Sequence, residues 1–436
     1  MMSFFGDCFR GACGIEQDDP PAEEGPGQPV MVSITEEPKP GPSSQCDGGD
    51  RRRGRGEGDI IIDGIAKLDT IEEEPGGGGD GDNPQQGKPK PTQPLVTLEV
   101  DRTKENVRTI AEKIMTTCTK LNGKFFDEDF PVGPTALFKN KEKAEKEDKK
   151  GQGLDAVKMW LRPGKIIHRD QDGGHFGHDF SIIRDQMGCD VRQGQLGDCW
   201  FLSCLGLLSR RKELLDKIVV TKKVNAAGVY VISLFHEGKF RDVLIDDQLP
   251  CNEYRSLCFG KANRMQLYVP LIEKARAKLA GSYEALIGGG LSDAMLSLTG
   301  FPCTDYILKE DFSDEEKEGI WQILSESANS RFLIAAGTKA EDKKMENLGL
   351  KPKHAYGVVK VCDKWGPRLI LFENPCGDSV WKGDWHNYSW TWGVNMRKAY
   401  RPFMNKSGVF YMCFDDVVKY FVQFSICQLG ENHPAE

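Results

Sequence analysis

No stretch of this 436-residue chain approaches eighteen consecutive apolar residues, so no transmembrane helix is expected. The N-terminus has neither a basic n-region nor an apolar h-region, which argues against a secretory leader. Without one, the fourteen cysteines read as reduced cytosolic thiols rather than as a disulfide framework. Position 2 is Met2 rather than glycine and the chain closes on His-Pro-Ala-Glu, so neither myristoylation nor prenylation is indicated. Positive charge is scarce as well. The formal net charge is −8 and the one basic cluster is Arg51-Arg-Arg-Gly-Arg55, so no nucleic-acid partner is expected.

Residues 1–95 also lack the apolar side chains that offset ordering entropy. Runs such as Gly76-Gly-Gly-Gly79 predict a disordered Gly/Pro-rich arm. Two exceptions stand out. Asp59–Leu68 could be a short binding segment, and Phe4, Phe5, Cys8, Phe9 and Cys13 form a small apolar patch. Cys8 and Cys13 are candidate S-acylation sites for a membrane tether. From about Leu98 the chain reads as globular. Helical spacing runs from Asn106 to Leu121 and from Met265 to Leu279, and Val229–Phe235 and Phe240–Asp246 alternate as paired strands. Gly288-Gly-Gly290 then breaks the chain as a hinge, and residues 331–336, 355–362, 368–373 and 408–414 are β-rich. The expected organisation is α+β, with an arm over 1–95, a helical lobe over 96–289 and a β-rich lobe over 290–436. A cleft between the lobes is the expected active site.

Residues 193–202, Gln-Gly-Gln-Leu-Gly-Asp-Cys-Trp-Phe-Leu, carry the main chemical signal. Cys199 follows a Gly-Asp turn, and Phe201, Leu202, Leu205 and Leu208 have the spacing of an amphipathic helix running to Arg211. Asp198 is a favoured N-cap type. A thiol in a first helical turn feels the positive end of the macrodipole, which favours the nucleophilic thiolate. Such a cysteine needs a base and an orienting group. His354 opens an alternating strand, and Asn374 ends an apolar strand before Pro375, in the order Cys, His, Asn. Gln193 is spaced to lend its amide to an oxyanion hole. Cys204 reads as core. His168, His175 and His178 fit no standard metal spacing and read as solvated.

These motifs resemble the protease core of the calpain family, with a papain-like two-lobed fold. The resemblance spans roughly residues 97–436 and includes Trp160-Leu-Arg162-Pro163, Leu271-Ile-Glu273-Lys274-Ala275, Gly281-Ser-Tyr283, Asn374-Pro375 and Trp381-Lys-Gly383-Asp-Trp385. The wording around Cys199, and Leu350-Lys-Pro-Lys353, are most similar to the small-optic-lobes branch. The resemblance implies a cytoplasmic thiol endopeptidase acting on protein substrates, with Cys199 as nucleophile, His354 as base, Asn374 as orienting residue and Gly289 beside the substrate backbone. The chemistry itself implies no cofactor.

Calcium is the activator that the resemblance would imply, through carboxylate sites in each lobe. Asp190 matches the first, but Gln266 stands where a glutamate is usual. In the second, Val380, Asn387 and Ser407-Gly408-Val409 replace acidic positions, so little calcium response is expected. The usual tryptophan after Asn-Pro is Cys376, and the glycine before the histidine is Lys353. A thiol shields the Cys-His-Asn cluster less than an indole, so low activity is expected, with Cys376→Trp raising it. No penta-EF-hand domain or C2-like β-sandwich is expected after the core. These departures support one rival reading, a catalytically weak calpain-fold module that works by binding.

Overall fold

The computed structural model describes residues 29–31, 106–139, 153–167, 179–184, 190–309, 311–340, 343–364, 366–377, 381–402 and 408–430. Cys8, Cys13, Asp59–Leu68, His168, His175, His178, Val380 and Ser407 lie outside them. Within the stretch expected to be unstructured, Pro29–Met31 forms strand β1, which pairs in parallel with β2 (Lys124–Phe126).

Asn106 accepts the Thr109 N–H at 2.9 Å and so starts helix α1 (Val107–Lys120). Its apolar stripe of Ile110, Ile114 and Cys118 covers Val229 and Val231 of a hairpin. That hairpin joins β4 (Val229–His236) to β5 (Lys239–Asp246) in unbroken register, after the short β3 (Met159–Leu161), which pairs antiparallel with β6 (Leu249–Cys251). Its turn residues Glu237 and Gly238 both have positive φ, as the native twist of a two-residue hairpin requires. Helix α3 spans Tyr268–Ala280, three residues later than its apolar spacing begins. Arg264 and Met265 are left-handed, which keeps them out of the helix.

The helix that bears Cys199, α2 (Cys199–Ser209), is shorter than predicted and differs in kind. An amphipathic helix was expected. Every residue from Trp200 to Ser209 is instead buried, because α2 is packed on all sides. Ile232, Leu267, Leu271 and Ile272 of the first lobe belong to the same buried cluster as this helix. Met295 and Leu298 of α4 (Leu291–Thr299), together with Leu333, Ala335 and Ala355, cover it from the second.

That second lobe is built on a six-stranded antiparallel sheet. Its strands are β7 (Cys303–Ile307), β8 (Leu333–Thr338), β9 (Ala355–Cys362), β10 (Leu369–Glu373), β11 (Val409–Cys413) and β12 (Phe421–Cys427), in spatial order β11-β10-β9-β8-β12-β7. Tyr356, Phe372, Phe410 and Phe421 fill one face, with Phe372 and Phe421 stacked at 4.8 Å. Helix α5 (Asp314–Asn329) covers that core and starts at a reciprocal Ser313–Glu316 capping box.

The two lobes meet along α2. Gly357 in β9 brings the strand close: a Cβ there would lie 3.0 Å from the Leu207 side chain. Ser203 Oγ donates to the Ala355 carbonyl at 2.9 Å, and Arg210 at the far end of α2 pairs with Glu373 at 2.7 Å. Leu205 is fully buried in this seam whereas Val224 is 42% exposed, so truncating the two should separate seam packing from surface effects. Leu205→Ala is expected to lower unfolding free energy by about 2–5 kcal/mol, and Val224→Ala by under about 0.5 kcal/mol. Urea titration checks both. Equal midpoints would mean that α2 is not the packed centre described here.

Candidate active site

Cys199 occupies the first position of α2, half-buried, with the polypeptide of the other lobe against it. The backbone N–H groups of Ala355, which follows His354, and of Trp200 lie on the side of the sulfur and favour its thiolate form. The sequence argument that the helix end favours thiolate meets a stronger opposing effect. Burial pushes the thiol up, and the neighbouring carboxyl of Asp198 and thiol of Cys376 add to it; only the two N–H groups pull the other way. A base is therefore required to take the proton.

His354 and Asn374 lie at the adjacent ends of β9 and β10. His354 is anchored through its backbone, donating to Thr338 Oγ1 at 3.0 Å, and its ring packs edge-on to Tyr356 at 5.0 Å. Nε2 of that ring lies 2.8 Å from Asn374 Oδ1. The same oxygen accepts the Cys376 backbone N–H at 3.0 Å, which identifies it as the acceptor atom of the amide and His354 Nε2 as the protonated nitrogen. Nδ1 is then left with its lone pair. Asn374 is fully buried, so this bond is sheltered from competing water.

Gln193 reaches the same turn from the first lobe. Its backbone N–H donates to the Pro375 carbonyl at 2.9 Å. Its Nε2 donates to the Leu196 carbonyl at 2.7 Å, and its Oε1 lies 3.1 Å from the Cys376 sulfur. The structure thus brings together Cys199, His354, Asn374 and Gln193, all four of the residues the sequence pointed to for chemistry. Gly289 is close by, against the ring of Trp200. A Cβ there would lie 2.4 Å from that indole, and Gly288, Gly289 and Trp200 line a cleft of about 500 Å³.

Asp198 does not act as the expected side-chain cap. It sits at the cap position of α2 but makes no capping bond, since its carboxyl turns inward to Glu273 of α3. Neither Asp198 oxygen receives a donor from a described N–H or O–H group, and Glu273 Oε1 takes the Gly260 N–H at 2.8 Å. Two buried carboxyls facing each other bond only with a proton between them. Burial raises both: Asp198 to about 7, and Glu273 further, with the Asp198 charge adding to it. Both carboxyls therefore hold their protons above the usual carboxylate range, Glu273 to the higher pH. Sequence reading used Glu273 only as part of a motif; a lone carboxylate in the apolar run Tyr268-Val-Pro-Leu-Ile was the available signal. Arg210 and Ser203, which fix α2 to the other lobe, left none.

Asp190 is buried, and Arg264 pairs with it at 2.5 Å, so a guanidinium stands where a cation would bind. The Gln266 amide donates to the same carboxylate at 3.2 Å, and its carbonyl, the one group able to ligate, accepts the Arg184 N–H at 2.8 Å. Asn387 in the second lobe spends its amide on the Val409 carbonyl. Among the described residues no cluster of three histidine, cysteine or carboxylate groups could hold a metal. These residues do not fit a calcium ion as they stand.

Residues 125–428 match the profile of the calpain family cysteine protease. The chain is 30% identical over 311 residues to the calpain-type cysteine protease DEK1 of Arabidopsis thaliana, an alignment covering 70% of this chain and 14% of that protein. It is 36% identical over 290 residues to human calpain-14, covering 64% of this chain and 40% of the relative. Against calpain clp-1 of Caenorhabditis elegans it is 30% identical over 328 residues, covering 72% and 39%. The chain thus spans less than half the length of each of these relatives.

The carboxyl pair has a consequence for stability. An unfolded Asp198 loses its proton near 3.8, whereas the folded one keeps it to about 7. Across that window the folded state holds the extra proton, so the contribution of Asp198 to stability is fully present below about pH 4 and is lost as pH rises through 7. Asp198→Asn should remove this contribution, flattening the slope by up to about 1.4 kcal/mol per pH unit. Denaturant unfolding of both proteins from pH 4 to 7.5 checks it. Parallel curves would show that no proton is shared.

Proposed function

The chain belongs to the calpain family of cysteine proteases, and we propose that it is itself an endopeptidase that cuts flexible segments of folded proteins through a Cys-His-Asn acyl-enzyme mechanism. The observation that carries this reading is His354 Nε2 at 2.8 Å from Asn374 Oδ1, next to the helix of Cys199, whose Ser203 Oγ donates to the Ala355 carbonyl at 2.9 Å. With Nε2–H committed to Asn374, His354 Nδ1 is the nitrogen able to accept the Cys199 proton. The thiolate then attacks the scissile carbonyl, and the negative oxygen gathers the remaining Gln193 N–H and backbone donors at the start of α2. His354 returns the proton to the leaving amine, the C–N bond breaks, and an acyl-Cys199 thioester remains. Water, deprotonated by His354, attacks the thioester and releases the second product. Gly289, whose missing side chain lets the Trp200 indole pack against it, lines the neighbouring cleft and is placed to run beside an extended substrate backbone.

Cys199→Ala and His354→Ala are each expected to abolish cleavage of a casein-type substrate, because the residues act as a unit. Gln193→Ala should lower kcat by roughly 10²-fold, and Asn374→Ala should reduce rather than remove activity. Undiminished cleavage by Cys199→Ala would contradict the reading. We further infer that calcium does little for these residues, since Arg264 already neutralises Asp190. Cleavage by the protein should change less than about twofold between a chelator and millimolar calcium, and Arg264→Ala should open the Asp190 site to calcium, measurable by calorimetry. Loss of activity in the chelator would show that other groups supply the ligands.

A further inference from the structure

Asn374, Pro375 and Cys376 form one turn that touches every residue assigned to the chemistry except Cys199. The Cys376 sulfur lies 3.1 Å from Gln193 Oε1 and 3.8 Å from His354 Nε2, and its backbone N–H donates to Asn374 Oδ1 at 3.0 Å. A carbonyl oxygen can only accept, so the thiol proton points at Gln193. The other end of that amide is fixed too, since Nε2 donates to the Leu196 carbonyl at 2.7 Å. Reversing the amide would set its oxygen against the Leu196 carbonyl, two acceptors facing each other. The observed orientation is therefore the one that keeps a second Gln193 N–H available beside the Cys199 helix.

We propose that Cys376 is a positioning residue for the reaction: its thiol locks the Gln193 amide in its donor orientation while its backbone N–H holds the Asn374 carbonyl towards His354. This rests on the endopeptidase reading above and explains why a small polar side chain serves where the family resemblance leads one to expect an indole. A tryptophan shields the His-Asn pair by covering it, whereas Cys376 joins that pair to the oxyanion donor through hydrogen bonds. The site is adapted to the thiol. Cys376→Trp should accordingly lower turnover, the reverse of what shielding alone leads one to expect, because an indole offers Gln193 Oε1 no donor at this distance and displaces the amide.

Help given to an oxyanion donor is felt in the transition state and not in substrate binding, so it appears in kcat rather than KM. Cys376→Ala is expected to lower kcat about 10-fold with KM within about twofold. Cys376→Ser, which keeps an O–H donor, should recover most of the loss. In a Gln193→Ala background, Cys376→Ala should cost little more, since it acts through the residue already removed. Independent, multiplying losses would overturn the assignment, as would a serine variant no better than alanine or a change carried by KM. A crystal structure of Cys376→Ala reads positioning without turnover. A Gln193 amide swung away from the Leu196 carbonyl supports the proposal, and an unmoved one overturns it. Failure of the endopeptidase reading is separately visible, as cleavage that persists in Cys199→Ala.

Discussion

Burial of α2 on every side is the constraint from which the rest of this molecule follows. A helix with no solvent face cannot belong to one lobe alone; it must be enclosed by both. Residues of the first-lobe core and of α4, β8, β9 and β12 meet on it in one continuous cluster. Its N-terminus is thereby carried to the start of β9, where the Ala355 N–H meets the Cys199 sulfur. Ser203 and Arg210 repeat the attachment one and three turns further on. Arg210 binds Glu373, the residue before Asn374, so the same helix that presents the nucleophile also holds the strand that presents the orienting amide.

The electrostatics around Cys199 run against the simplest account of a reactive cysteine. A helix N-terminus lowers a thiol's pKa only when its field is not outweighed, and here burial and the Asp198 carboxyl work in the other direction. On the proposed reading a thiol of this kind is a protected nucleophile: it depends on His354 to remove its proton, and His354 in turn depends on Asn374 to hold its tautomer. The carboxyl pair beneath it faces α2 towards α3, and burial holds the protons of both groups above the usual carboxylate range.

Much of this was legible in the sequence, for reasons that differ by residue. The hairpin of β4 and β5 was readable because alternation is a local property, and so were α1 with its Asn106 cap and the strand positions of β8 to β11. Cys199, His354, Asn374 and Gln193 were readable because their types and spacing carry chemistry. What local pattern cannot supply is who faces whom. Asp198 read as a cap and instead bonds Glu273 across the lobe. The all-buried character of α2 was hidden because Ser203, Gly206 and Ser209 look like a polar face until their neighbours are known. Cys376 read as a lost shield because its partner Gln193 is 183 positions away in the chain.

The central claim is that one thiol among fourteen is made reactive by a base brought to it from the other lobe. Labelling with a peptidyl epoxide, followed by mass mapping of the modified cysteine, tests this directly. The account predicts modification confined to Cys199 and slowed by at least about 10²-fold in His354→Ala. Labelling that falls on Cys376 or spreads over several cysteines, or that proceeds equally fast without His354, would contradict it.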